Sequence, residues 1–246
     1  MSGLKRFFAE NIRVGGECVL TGEEFEHAGT VLRLSEGDEA VLLDNGGKEY
    51  EAVVVAVNKK EIVFHVLSSR ECDKEPKTEM ALYFGFLKNA DKNEFAVQKA
   101  VELGAAKISL FTSDYSSAFL SKNKAERLQK VAREAAKQCM RSSYPEIVCF
   151  SSFGEALKDA GKYGVKFFAC EFAEKSDEPL SSFNKERLSR GAALFIGSEG
   201  GFSSREAELA RESGCTFVSL GKRILRAETA AVALLSVVAF QAGEWQ

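Results

Sequence analysis

Residues 194–202 read Leu-Phe-Ile-Gly-Ser-Glu-Gly-Gly-Phe. A short apolar run breaks into a turn holding Gly197, Gly200 and Gly201, and Ser203 with Glu206 after it has capping-box spacing. A strand, a glycine turn and a helix start, in that order, bring bare backbone N–H groups within reach of a polar or anionic ligand. Taken alone, the pattern is equally an ordinary turn between a strand and a helix. A second loop changes the balance. Leu220-Gly221-Lys222-Arg223-Ile224-Leu225-Arg226 closes the next apolar run, 216–220. If both strands run the same way, both loops leave the edge of a parallel sheet where ligands bind. Neither loop has the G-x-x-x-x-G-K-[ST] pattern of a Walker loop or the G-x-G-x-x-G of a dinucleotide site. The reading therefore moves from a phosphate cradle to a nucleoside pocket, where backbone amides and carbonyls meet the base edge. Arg226 is the candidate for chemistry. Its guanidinium is always charged, and its fork suits a phosphate or a developing anion. An ion pair with Glu228 or Glu199 is its structural alternative.

These loops need an α/β frame. From residue 80 onward apolar strands alternate with helical patterns. Strands are expected at 80–86, 107–112, 147–150, 166–170 and 216–220, and helices at 91–103, 124–140, 153–160 and 228–240. Such alternation predicts a largely parallel sheet. Before residue 70 the rhythm differs. Short strand candidates at 18–20, 40–44, 50–57 and 62–67 are joined by turns, with Asn45-Gly46-Gly47 as a hairpin signal. That predicts a small β-barrel at 1–70. The polar stretch 71–78, with Pro76, reads as a linker to an α/β domain over 79–246. His65 reads as a structural strand residue.

Composition limits the function classes. Among 246 residues, 45% are apolar and 28% charged, as in an ordinary globular protein. No apolar run is long enough to span a membrane. The N-terminal residues lack the apolar core of a secretory signal. The six cysteines form no C-x-x-C and the two histidines are isolated, so neither a disulfide framework nor a metal centre is expected, and a reducing cytoplasm suits the thiols. A net charge of −3 argues against indiscriminate nucleic-acid binding. Charge is nonetheless local. Lys130, Arg133, Lys137 and Arg141 follow helical steps and are expected to share one basic face, suited to a polyanion or simply solvated.

Several segments together resemble the ribosomal RNA small-subunit methyltransferase E family, of the SPOUT superfamily of knotted methyltransferases. The likeness is carried by the stretch 197–202 and by Leu220-Gly221-x-Arg223-Ile224-Leu225-Arg226-x-Glu228-Thr229-Ala230. Arg6-Phe7-Phe8, His27, Val31-Leu32-Arg33, Gly37-Asp38, Lys88, the stretch 98–104, the stretch 134–138, Arg141 and Pro145 add to it. The resemblance implies a SPOUT-type trefoil-knotted α/β domain preceded by a small PUA-like β-barrel. It implies S-adenosylmethionine as methyl donor and methylation of N3 of a specific uridine in small-subunit (16S) ribosomal RNA. Both free RNA and the assembled small subunit (30S) remain open as substrate. It also implies a homodimer with the cofactor pocket near its interface, and the apolar stretch 230–240 would suit a buried or shared helix. Ile196, Gly197, Glu199, Gly200, Gly201, Leu220, Gly221, Ile224 and Leu225 are then the expected cofactor residues. Arg226 is expected in catalysis, and Arg33, Lys88, Lys130, Arg133, Lys137 and Arg141 at the RNA.

This chain departs from the family pattern at three places. Ser198 stands where proline is usual, Ala227 where threonine is usual, and Asp114-Tyr115-Ser116 where a Glu-Arg-Ser/Thr cluster is usual. The missing arginine puts one RNA contact in question. A non-catalytic RNA-binding or ribosome-assembly factor with the same fold is the alternative reading. An enzyme using a nucleoside triphosphate is disfavoured by the missing Walker lysine.

Overall fold

The computed structural model describes residues 4–116, 120–170 and 178–245. The chain divides into two compact units. One is Met1–Glu75 with Ala136–Tyr144, and the other is Pro76–Ala135 with Pro145–Gln246.

The first unit is built on a five-stranded sheet of β1 (Lys5–Phe8), β2 (Glu17–Leu20), β3 (Glu39–Leu43), β4 (Lys48–Val57) and β5 (Ile62–Glu71), in the order β1-β3-β4-β5-β2. The hairpin forms where Asn45 and the glycines predict it. Asn45 (φ +57°) and Gly47 (φ +103°) take left-handed conformations, and the Asp44 carboxylate accepts from the Gly46 amide at 2.7 Å. Phe7, Leu42, Val54, Phe64 and Leu20, one from each strand, meet in a single buried cluster, which a flat sheet could not achieve. A short helix, α1 (Gly22–Glu26), runs into a π-helical turn (His27–Val31) that adds Ala28 to this core.

Two features differ from the sequence expectation. Strand β1 pairs in parallel with β3, Lys5 opposite Ala40, across some thirty residues that no local pattern spans. Residues 136–144 group with the first unit rather than with 79–246. Glu75, in the expected linker, accepts from the Ser142 and Ser143 amides (both 2.8 Å) and from Arg141 (3.1 Å).

The second unit holds a six-stranded, wholly parallel sheet. Its strands are β6 (Met80–Gly85), β7 (Ala105–Phe111), β8 (Ile147–Phe150), β9 (Val165–Ala169), β10 (Ala192–Ile196) and β11 (Thr216–Val218), in the order β11-β9-β10-β6-β7-β8. Every residue of β6 and β10 is buried, as expected of central strands covered on both faces. The helices are α2 (Ala90–Glu102), α3 (Lys122–Gln138), α4 (Phe153–Asp159), α5 (Ser204–Glu212) and α6 (Ala227–Ala242). Helix α6 lies against α2, β10 and β6, burying Ala231, Leu234, Leu235 and Val238. Among the described residues, no helix is long and apolar enough to cross a membrane.

Candidate cofactor site

Because all six strands are parallel, the loops after β6, β7, β10 and β11 leave one edge of the sheet. The condition set by the sequence reading is therefore met. The β10 and β11 loops together line a cavity of about 500 Å³.

The β10 loop is held at both ends. At its far end Phe202, 3% exposed, is packed in an aromatic cluster, 4.1 Å from Phe168 and 5.4 Å from Phe153 between ring centroids. Burial of a ring of this size anchors the loop with about 3–5 kcal/mol, the usual cost of deleting one. Ser203 then caps α5. Its hydroxyl accepts from the Glu206 amide (3.1 Å), while the Glu206 carboxylate accepts from the Ser203 amide (2.8 Å), so the predicted capping box is present. Burial pushes the Glu206 carboxyl above its ordinary pKa, although these amide hydrogen bonds oppose the shift.

Within the loop, Gly197 and Gly201 approach so closely that a Cβ on Gly197 would lie 2.8 Å from the Gly201 carbonyl carbon. Gly201 itself has φ +70°, which glycine tolerates without strain. The backbone of Gly85, at the end of β6, presses on the same loop, and a Cβ there would lie 2.4 Å from the Ser198 amide nitrogen. Glu199 accepts from the Lys88 amide at 2.9 Å, tying the β10 loop to the turn after β6. That turn is organised by Asn93, 1% exposed, which bonds both the amide and the carbonyl of Leu87.

Of the expected cofactor residues, Ile196, Gly197, Glu199, Gly201, Leu220, Gly221, Ile224 and Leu225 line the cavity. Gly200 does not. Its Cα faces Tyr115, and a Cβ there would lie 2.7 Å from the tyrosine Cβ. Ile224 is at the open rim, 85% exposed. Arg226 also lines the cavity, as the exposed residue immediately before α6. Neither ion pair considered for it forms. Glu228 pairs with Lys92 on α2 (3.4 Å), and Glu199 bonds the Lys88 backbone. Lys92 and Ser198 are lining residues that sequence reasoning missed. Lys92 carried no signal beyond a place in the first turns of a helix.

The expected basic face is divided. Lys130 is exposed and Arg133 half-buried, but Lys137 and Arg141 are 9% and 4% exposed. Lys137 pairs with Glu24 (3.2 Å), and Arg141, beyond the end of α3, pairs with Glu75. Helical spacing put them on one stripe, and burial with carboxylates removes both from an RNA surface. Arg33 and Lys88 are exposed.

Comparison with known proteins settles the family. Residues 74–239 match the RNA methyltransferase domain model, and residues 20–67 match the RNA methyltransferase PUA domain model. The ribosomal RNA small subunit methyltransferase E of Bacillus subtilis (strain 168) is 31% identical over 97% of this chain and 97% of its own length. The chain belongs to the ribosomal RNA small subunit methyltransferase E family. Within it, the Mesomycoplasma hyopneumoniae member is 34% identical over 73% of this chain and 75% of its own. Solved structures agree. A methyltransferase of Legionella pneumophila, in complex with S-adenosylmethionine, has a TM-score of 0.87 at 28% identity, covering 97% of this chain and 98% of its own. The Neisseria gonorrhoeae family member, bound to S-adenosylmethionine, has a TM-score of 0.82 at 26% identity with the same coverage. The fold is accordingly a SPOUT-type α/β domain preceded by a PUA domain with a curled β-sheet.

Proposed function

We propose that this protein uses S-adenosylmethionine to methylate N3 of a uridine in small-subunit ribosomal RNA. The observation that carries the reading is the cavity shared by the two glycine-bearing loops, with an exposed arginine at its lip. The lining suits the methyl donor. Ile196, Leu220, Leu225 and Phe202 offer apolar surface to an adenine, and Gly197, Gly201 and Gly221 add no side chain, so a ligand can approach the loop backbone closely. A cavity of this size falls within the range of about 300–1,000 Å³ usual for small-molecule sites. S-adenosylmethionine supplies there a methyl group on a sulfonium, which leaves as a neutral thioether.

The chain's own residues hold two reactants together and favour the reactive form of the base. Positioning of this kind lowers a barrier by up to about 7–11 kcal/mol. Uracil N3 carries a proton at neutral pH, and that proton must leave before or as the N3–carbon bond forms. Arg226 stabilises the resulting uracil anion, and the proton passes to water. Glu199 braces the β10 loop through the Lys88 amide. Arg33, Lys88, Lys130 and Arg133 are the phosphate contacts in this reading. The active form is a cytoplasmic homodimer, with α6 at the shared face. Phe240 near its end and Phe95 on α2 are 51% and 44% exposed, large apolar groups that a partner would cover.

Incubation with labelled S-adenosylmethionine and small subunits lacking the modification tests the enzyme reading. Label in the RNA is expected. No label, with retained subunit binding, would make the protein an assembly factor instead.

A further inference from the structure

The loop after β7 touches the cofactor loop at successive points. The Ser113 hydroxyl lies 2.9 Å from that of Ser198, and both residues are 4% exposed. Ser116 completes a hydroxyl chain. Its Oγ is 3.0 Å from Ser113 Oγ and accepts from the Ser113 amide at 2.9 Å. The next residue, Asp114, accepts from the Ser203 hydroxyl and from Arg205, and its amide donates to Glu206 at 3.0 Å. The Arg205 and Ser203 hydrogen bonds hold the Asp114 carboxyl below its usual pKa. Tyr115 then packs against Gly200. Residues 113–116 thus grip the β10 loop beside its first glycine, at its middle and at the helix cap that follows it.

Ser198 is the only one of these contacts whose residue also lines the cavity. Proline at that position would stiffen the loop through its own ring. A serine has no such ring, and its hydroxyl here is fixed from outside by Ser113. We propose that Ser113 is a positioning residue for the cofactor loop, setting the backbone of Gly197 and Ser198 for S-adenosylmethionine through the buried hydroxyl pair. The proposal rests on the reading of the cavity as the methyl-donor site. Ser113 touches no reactant, so its effect falls on cofactor affinity and on the order of the loop, not on the chemical step.

The test is a cycle of Ser113→Ala, Ser198→Ala and the double variant, with S-adenosylmethionine binding measured by calorimetry. Hydrogen exchange of the free protein is followed at residues 197–201. One neutral hydrogen bond is lost, so each single variant should bind about three- to tenfold more weakly, and the double variant no more weakly than either. Amides in the loop should exchange faster in Ser113→Ala, kcat at saturating cofactor should stay within about twofold, and Ser113→Thr should restore affinity because it keeps the hydroxyl. Unchanged affinity in Ser113→Ala, while the wild type binds, overturns the proposal and leaves the site intact. Additive losses overturn it too, since the two hydroxyls would then act separately. Failure of the wild type to bind S-adenosylmethionine overturns the reading of the cavity and this proposal with it.

Discussion

The Lys92 ammonium lies 3.4 Å from the Glu228 carboxylate, so the acid two residues beyond Arg226 is already paired across α2 and α6. Only 13% of the Glu228 side chain is exposed. Arg226 is thereby left at the lip of the cavity as an exposed cation. Among the described residues neither Glu228 nor Glu199 pairs with it, and a cation held so beside a pocket keeps its charge available for a ligand.

Arg226→Ala should therefore lower the rate of methyl transfer about 10²–10³-fold, the usual cost of removing one group that stabilises a developing anion. Affinity for S-adenosylmethionine should change little. Steady-state rates together with calorimetry check this, and equal losses in both would assign Arg226 to cofactor binding.

Gly85→Ala should act at a distance from the chemistry. Its new Cβ would meet the Ser198 amide nitrogen, which belongs to backbone and cannot simply swing away. Overpacking of this kind costs about 1–3 kcal/mol. Cofactor affinity should fall with stability, because the displaced segment lines the cavity. Gly161→Ala, where a Cβ meets nothing within 4 Å, is the control and should stay within about 0.5 kcal/mol. Thermal melts and cofactor titrations of the two variants decide the matter.

The parts that were legible in the sequence are those set by neighbours along the chain. The Ser203–Glu206 capping box lies within four residues, and the Asn45 hairpin within three, so residue type was enough. The two loops were also legible, because strand, glycine and helix signals follow one another directly. What escaped depends on partners far along the chain. Ser198 gained a role only through Ser113, 85 residues earlier, and β1 gained a partner only in β3. Helical spacing places Lys130 and Lys137 on one stripe but carries no word about Glu24, whose carboxylate meets Lys137 113 residues away.

That division of the basic stripe has a measurable consequence. Lys137→Ala removes the cation of a buried ion pair and should cost about 3–5 kcal/mol, the usual penalty for breaking such a pair from one side. Lys130→Ala should stay within about 0.5 kcal/mol in stability. It should instead weaken RNA binding and reduce the salt dependence of that binding by about one counterion. Denaturant unfolding and RNA titrations at several salt concentrations separate the two effects.

Stability should also fall in acid in a defined window. Burial raises the pKa of the Glu49 carboxyl, but the hydrogen bonds from Arg6 and Arg70 and the charge of Arg6 outweigh it, so its folded pKa lies below the ordinary 4.5. A lowered folded pKa means that the contribution is fully present above about 4.5 and is lost as pH falls from there through the folded value. Glu49→Gln should be less stable than the wild type near neutrality, and the gap should narrow in acid. Unfolding free energies measured from about pH 7 to about pH 3 test this. A gap that stays constant would mean that Glu49 keeps the same charge in both states across the window.

The proposed methyl transfer is to one atom of one base. Small subunits lacking the modification would be labelled with the protein and methyl-labelled S-adenosylmethionine, and their RNA digested to nucleosides and resolved by mass spectrometry. Label is expected in 3-methyluridine, in wild-type reactions and at a much lower level with Arg226→Ala. Label in a nucleoside methylated on the ribose or on a carbon of the base would contradict it.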